Sequence, residues 1–322
     1  MKLDRIVIAV DFSDRSIAAA QWIARSFAPR AELVLVHVLE LPPPPWFLRS
    51  RLALRAEDIE TCRVDARRRL HELGKQIGRG LLWEEVRSGR PEDEVLRVAR
   101  EYEADLIVVG SHRERPGFWN RFGSTAERIL GGSAVPVLVV HGAPRAVPRF
   151  VVVAVDDSAT GRKVIRQSQA LTERLAASGK VVHVLSRQVP YQLAVGGELV
   201  THDSSYVEAE RELLQATRAW LRERLEDIPS SLESAVLVGD ATEVILREAR
   251  LSGADLLILG RERKGRIRRH LLGSVTGTVI RGASCPVLVI PSPDHREHVT
   301  MIAGEDASTG FGNDAALDRA VS

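Results

Sequence analysis

The seven residues ADLIVVG at 104–110 return as ADLLILG at 254–260, and this repeat sets how the rest of the chain is read. The same register carries Gly89 onto Gly239, Gly123 and Ser124 onto Gly273 and Ser274, and PVLVV at 136–140 onto PVLVI at 286–290. Nearer the start of each half, IVIAVDFS at 6–13 matches VVVAVDDS at 151–158, so the two copies differ by a few inserted residues. The chain is a duplication.

Each copy alternates short, continuously apolar, β-branched runs with longer segments of helical period. Apolar runs bounded by polar residues are what parallel strands covered on both faces require. In the first half such runs fall at 5–10, 33–38, 82–86, 106–109 and 137–140. Ser13 or Asp14 caps a helix that runs to about residue 27. A second helical pattern spans 58–76. Pro91 suits the first turn of a third helix, where its missing N–H costs nothing, and a short helix is expected over 124–130. The second half repeats the order, with strands near 151–155, 181–185, 234–238, 256–259 and 287–290. Repeated βα alternation predicts an α/β fold with two tandem doubly wound domains, each a five-stranded parallel sheet flanked by helices. The expected division is a first domain at 1–142, a linker at 143–148 within HGAPRAVP, a second domain at 149–292, and a polar, mobile tail at 293–322.

Composition supports a soluble globular chain. Of 322 residues, 44% are hydrophobic and 27% charged, and the length suits two domains rather than one. A formal net charge of +2 provides no global attraction for nucleic acid or an anionic membrane, so an anion site must be local. The apolar run at 6–10 is far shorter than a signal-peptide core or a membrane span. Cys62 and Cys285 lie in different halves without a CxxC or His/Cys cluster, which suits a reducing compartment. A cytoplasmic protein is expected.

AVDFSDRS after the first strand, GSTAERIL after the fourth and GASCPVLVI near the end together resemble the universal stress protein family, and the likeness covers both halves. It implies a strand order of 3-2-1-4-5 in each domain, of the kind seen in adenine nucleotide hydrolase-like folds. Domains of this family resemble partners that pair through their last strands, so PVLVV and PVLVI suit an intramolecular pseudo-dimer, with a further homodimer of the whole chain left open. ATP-binding members carry Gly, two residues, Gly, nine residues, then Gly followed by Ser or Thr. Here Gly110 with Gly123 and Ser124, and Gly260 with Gly273 and Ser274, keep the spacing, but Arg113 and Arg263 stand at the middle glycine. Two consequences stay open. An arginine can meet phosphates with its planar fork of donors, or it can fill the space and close the site.

Ligands of doubly wound sheets bind where the strand order reverses, here between strands one and four. By resemblance, Asp11 and Asp156 lie beside adenine and ribose, and Val38 and Val184 offer apolar or main-chain contact. Gly123–Ser124 and Gly273–Ser274 present donors to phosphate at a helix start. The implied cofactor is ATP with Mg²⁺, for which Asp156 and Asp157 offer adjacent hard oxygens. Turn chemistry for Gly110 and Gly260 and helix entry for the two aspartates are the structural alternatives. His37 and His183 read as packed neutral histidines. Arg67, Arg68 and Arg69, beside Asp65 and Glu72, read as a solvated helix face. RERKGRIRRH at 261–270 and the cations Arg113, Arg115 and Arg121 are basic loops suited to solvent, to polyphosphate or to nucleic acid. Pro42 to Pro45 with Trp46 and Phe47 form a stiff loop, either a lid or a partner surface. No Ser/His/Asp group, carboxylate pair or Walker lysine recurs in both halves, so the expectation is a nucleotide-responsive stress module and not an enzyme. A nucleotide-independent interaction scaffold is the alternative, and weak ATPase activity stands third.

Overall fold

The computed structural model describes residues 1–40, 56–78, 82–111, 123–144, 146–186, 203–226, 232–261 and 273–292. Residues 1–292 make one compact unit. The first half runs β1 (Arg5–Ala9), α1 (Asp14–Trp22), β2 (Glu32–Leu39), α2 (Ala56–Ile77), β3 (Leu82–Ser88), α3 (Pro91–Glu101), β4 (Leu106–Gly110), α4 (Ser124–Gly132) and β5 (Val137–Val140). The second runs β6 (Phe150–Val155), α5 (Ala159–Leu175), β7 (Ser178–Leu185), α6 (Asp203–Glu226), β8 (Leu232–Val238), α7 (Ala241–Leu251), β9 (Leu256–Arg261), α8 (Ser274–Gly282) and β10 (Val287–Pro291).

Local chemistry explains the boundaries. The Ser13 hydroxyl accepts the Ser16 N–H at 3.3 Å to start α1, and Asp240 accepts the Glu243 N–H at 3.0 Å to start α7. Pro91 occupies the first turn of α3. The helix expected to reach residue 27 changes character on the way: Ile23–Phe27 is a π turn, closed by the Ala28 N–H on Ile23 O at 2.9 Å. The wider turn buries Ile23 and Phe27 together and sets Phe27 against Trp22, ring centroids 5.1 Å apart. Gly89 and Gly239, at φ of 149° and 148°, make the turns into α3 and α7 and donate to Leu39 O and Leu185 O. A side chain is strained at such φ values, which is why glycine recurs at both positions.

All ten strands form one sheet in the order β3-β2-β1-β4-β5-β10-β9-β6-β7-β8. Each half is parallel in the order 3-2-1-4-5, as the family resemblance implies. The halves meet where β10 pairs antiparallel with β5, Leu288 opposite Leu138. Alternate residues of β1 go to opposite faces: Ile6 and Ile8 pack with Ala19, Ile23 and Leu70 of the α1/α2 side, Val7 with Val98 and Ile129 of the α3/α4 side. Both cores continue without a break through β5 and β10 into the second half. Asp105 and Asp255 of the repeated motif lie at the opposite end of the strands from the glycines. Asp105 accepts the N–H groups of Asp4 and Arg5, and Asp255 those of Arg149 and Phe150.

The segment between the halves is anchored on the first, because the Trp22 indole donates to Ala146 O at 2.8 Å. Residues 293–322, read as a tail, lie outside the described residues. Among the described residues no helix is long and apolar enough to cross a membrane.

Candidate functional site

The C-terminal ends of β1, β2 and β4 and the start of α4 enclose a cleft of about 850 Å³. Asp11, Val38, Gly110, Gly123 and Ser124 all line it. Parallel strands in this order leave such a crevice because β2 and β4 lie on opposite sides of β1, and their following helices cover opposite faces. Val10, Val36, Val95, Val109 and Ile129 supply an apolar wall, and Asp11, Ser16, Glu40, Ser124, Thr125 and Glu127 the polar part.

Asp11 also has a local task. Its Oδ1 accepts the Ser13 N–H at 3.0 Å and the Ser13 hydroxyl at 2.6 Å, which shapes the entry to α1. Phe12 between them takes φ of 61°, a costly conformation for a bulky side chain. Its ring centroid lies 4.4 Å from that of His37, and the Arg69 guanidinium stacks over the Phe12 ring, 4.0 Å from its centroid. Arg67, Arg68 and Arg69 are all exposed, as expected of a solvated face, with Arg68 paired with Asp65 and Glu72 at 2.6 and 2.7 Å while Arg69 also stacks on Phe12.

His37 Nδ1 lies 2.7 Å from Val10 O, and since a carbonyl can only accept, Nδ1 carries the proton. Burial is the main reason its pKa falls below 6.5, helped by nearby Arg69 and opposed by the bond to Val10 and the charge of Asp11. His37 is thus a packed neutral histidine that also lines the cleft. Gly110 meets a different demand from phosphate approach. A Cβ there would stand 3.1 Å from Ser16 N and 3.3 Å from Ser16 Cα, so α1 packs directly on the backbone of β4. Gly123 is the N-cap of α4, has no side chain to cap the first-turn N–H groups, and would place a Cβ into open space.

The second half reproduces these positions. Asp156 Oδ1 accepts the Ser158 N–H at 3.3 Å and its hydroxyl at 2.5 Å, and the adjacent Asp157 is exposed. Val184 sits in β7 opposite Leu237, and His183 Nδ1 lies 3.0 Å from Val155 O. Gly260 pairs with Ile290 in the sheet, and a Cβ on it would meet Val164 Cγ2 at 3.0 Å. Gly273 caps α8, which begins at Ser274. Arg113 and Arg263, with Arg115, Arg121 and the loop 42–47, lie outside the described residues. So does all of 261–270 except Arg261, which reaches across to the first half and donates to Gly131 O and Ser133 O at 2.5 and 2.8 Å. Among the described residues no group of three His, Cys, Asp or Glu is placed to hold a metal ion.

Glu40, Thr125 and Glu127 are cleft residues that sequence reasoning passed over. Their signal was positional: Glu40 follows strand two at the edge where β1 ends, and Thr125 and Glu127 lie in the first turn of α4.

A model of the universal stress protein family matches residues 2–141 and again 149–291. A universal stress protein of Mycobacterium bovis is 28% identical over 306 residues, covering 88% of this chain and 96% of its own. The solved universal stress protein of Archaeoglobus fulgidus superposes with a TM-score of 0.63 at 19% identity, over 91% of this chain and 98% of its own. A solved universal stress protein in complex with cAMP matches 45% of this chain and 98% of its own, at 20% identity and a TM-score of 0.34.

Proposed function

Because the chain belongs to the universal stress protein family, with one family domain in each half, we propose that it is a stress-response signalling module whose first-half cleft binds an adenine nucleotide. The observation that carries this reading is convergence: Asp11, Val38, Gly110, Gly123 and Ser124, far apart in sequence, line one cleft of about 850 Å³. That volume lies in the range of small-molecule sites, roughly 300–1,000 Å³. The valine wall suits the face of a purine. The Asp11 carboxylate is an acceptor for ribose hydroxyls, and the N–H groups at the start of α4 are donors for a phosphate. The nucleotide acts as a signal in this reading, shifting the population of conformers by binding one better than another.

Calorimetric titration of the nucleotide-stripped protein with adenine nucleotides tests it, repeated on Gly123→Trp and Gly273→Trp. A Cβ at 123 meets nothing within 4 Å, so an indole there enters the cleft without moving the backbone. Micromolar binding lost in Gly123→Trp and kept in Gly273→Trp is the expected result. Folded protein that binds no nucleotide would favour an interaction scaffold instead.

A further inference from the structure

Among the described residues, the charged side chains lining the first-half cleft are acidic. Asp11, Glu40 and Glu127 line it, and no Lys or Arg is among the described lining residues. The duplication supplies an internal comparison. Counting three residues on from the matched histidines, Glu40 corresponds to Ser186; four on from the N-caps Gly123 and Gly273, Glu127 corresponds to Gly277. Of the three carboxylates only Asp11 is repeated, as Asp156. Two of them therefore belong to the first cleft alone.

Their placement bears on phosphate. A helix N-terminus carries a partial positive charge of about half a unit. In α4 the first turn also holds Glu127, whereas the first turn of α8 holds no acidic residue. Glu127 opposes the field that would draw an anion to the start of α4, and Glu40 adds negative charge from the end of β2. Each further phosphate on a ligand meets this repulsion, while its nucleoside end meets the apolar wall. Resting on the nucleotide reading above, we propose that Glu40 and Glu127 make the first-half cleft discriminate against polyphosphate chains, so that it takes a nucleoside or nucleoside monophosphate in preference to a triphosphate.

The test uses the full chain with Gly273→Trp obstructing the second half. AMP and ATP are titrated calorimetrically without divalent cations. AMP should bind at least about tenfold more tightly than ATP, a free-energy gap of roughly 1.4 kcal/mol. Glu40→Gln and Glu127→Gln, singly and together, should each narrow the gap by strengthening ATP binding several-fold and AMP binding, with its single phosphate, by less. Glu40→Gln alters an exposed residue beyond the end of β2, so folding is not at stake in that variant. Added salt gives an independent sign: screening like charges should tighten ATP binding to the parent chain, whereas a net positive site would loosen. ATP bound as tightly as AMP, or a ratio unmoved by either glutamine, would overturn the inference and leave the nucleotide reading standing. Absence of binding by AMP and ATP alike would overturn both.

Discussion

Gly110 shows how one residue can satisfy a motif and a packing rule at once. It opens the spacing shared with nucleotide-binding family members, yet the nearest obstacle to a side chain is the α1 backbone at Ser16, not open cleft. Gly260 faces the Val164 and Thr160 methyls, which can turn aside more readily than a backbone. Gly110→Ala should therefore destabilise by about 1–3 kcal/mol, the usual cost of overpacking, and Gly260→Ala by less. Urea midpoints of the two variants check the ranking; equal, negligible losses would mean that α1 slides away at no cost. Asp11 has the same double character, lining the cleft while holding Ser13. Glycine and aspartate at these spacings were readable in the sequence, but which neighbour required them was not, because that neighbour lies on another element.

Among the elements, the apolar strand runs were legible to within a few residues, since a parallel strand buried on both faces leaves little choice of composition. The π turn after α1 was not legible: helix and π turn share the same local propensities, and the burial of Ile23 and Phe27 together selects between them. The bond from the end of β9 to α4 was equally hidden. Arg261 donates to the Gly131 and Ser133 carbonyls at the C-terminus of α4, where a cation also meets the negative end of the helix dipole. Its counterpart in the first half is Ser111, too short for a reciprocal bond. Arg261→Ala should cost about 1.5–3 kcal/mol, the scale of hydrogen bonds to charged groups, with partial recovery in Arg261→Lys. Unchanged denaturant midpoints would show that water replaces the guanidinium fully.

At the scale of the whole molecule, the β5–β10 junction turns two five-stranded sheets into one of ten and hides two apolar edges. Residues 1–144 alone would expose β5, all of whose residues are buried in the full chain. Because Leu138 faces Leu288 at the centre of the antiparallel register, a second copy of β5 can take the place of β10 with Leu138 facing Leu138. The isolated first half should therefore sediment as a dimer, and a well-folded monomer at micromolar concentration would contradict this. The duplication and the α/β class followed from the sequence, because periodicity and repetition are properties of the chain itself; the strand order within each half followed from the likeness of its motifs to the family, and five of the six first-half positions which that likeness singles out line one cleft. The gathering of Asp11, Glu40 and Glu127 in the first cleft, the Arg261 bond between halves, and the reason for each glycine were decided only by tertiary structure, because they depend on side chains brought together from elements more than a hundred residues apart or from opposite sides of a strand end.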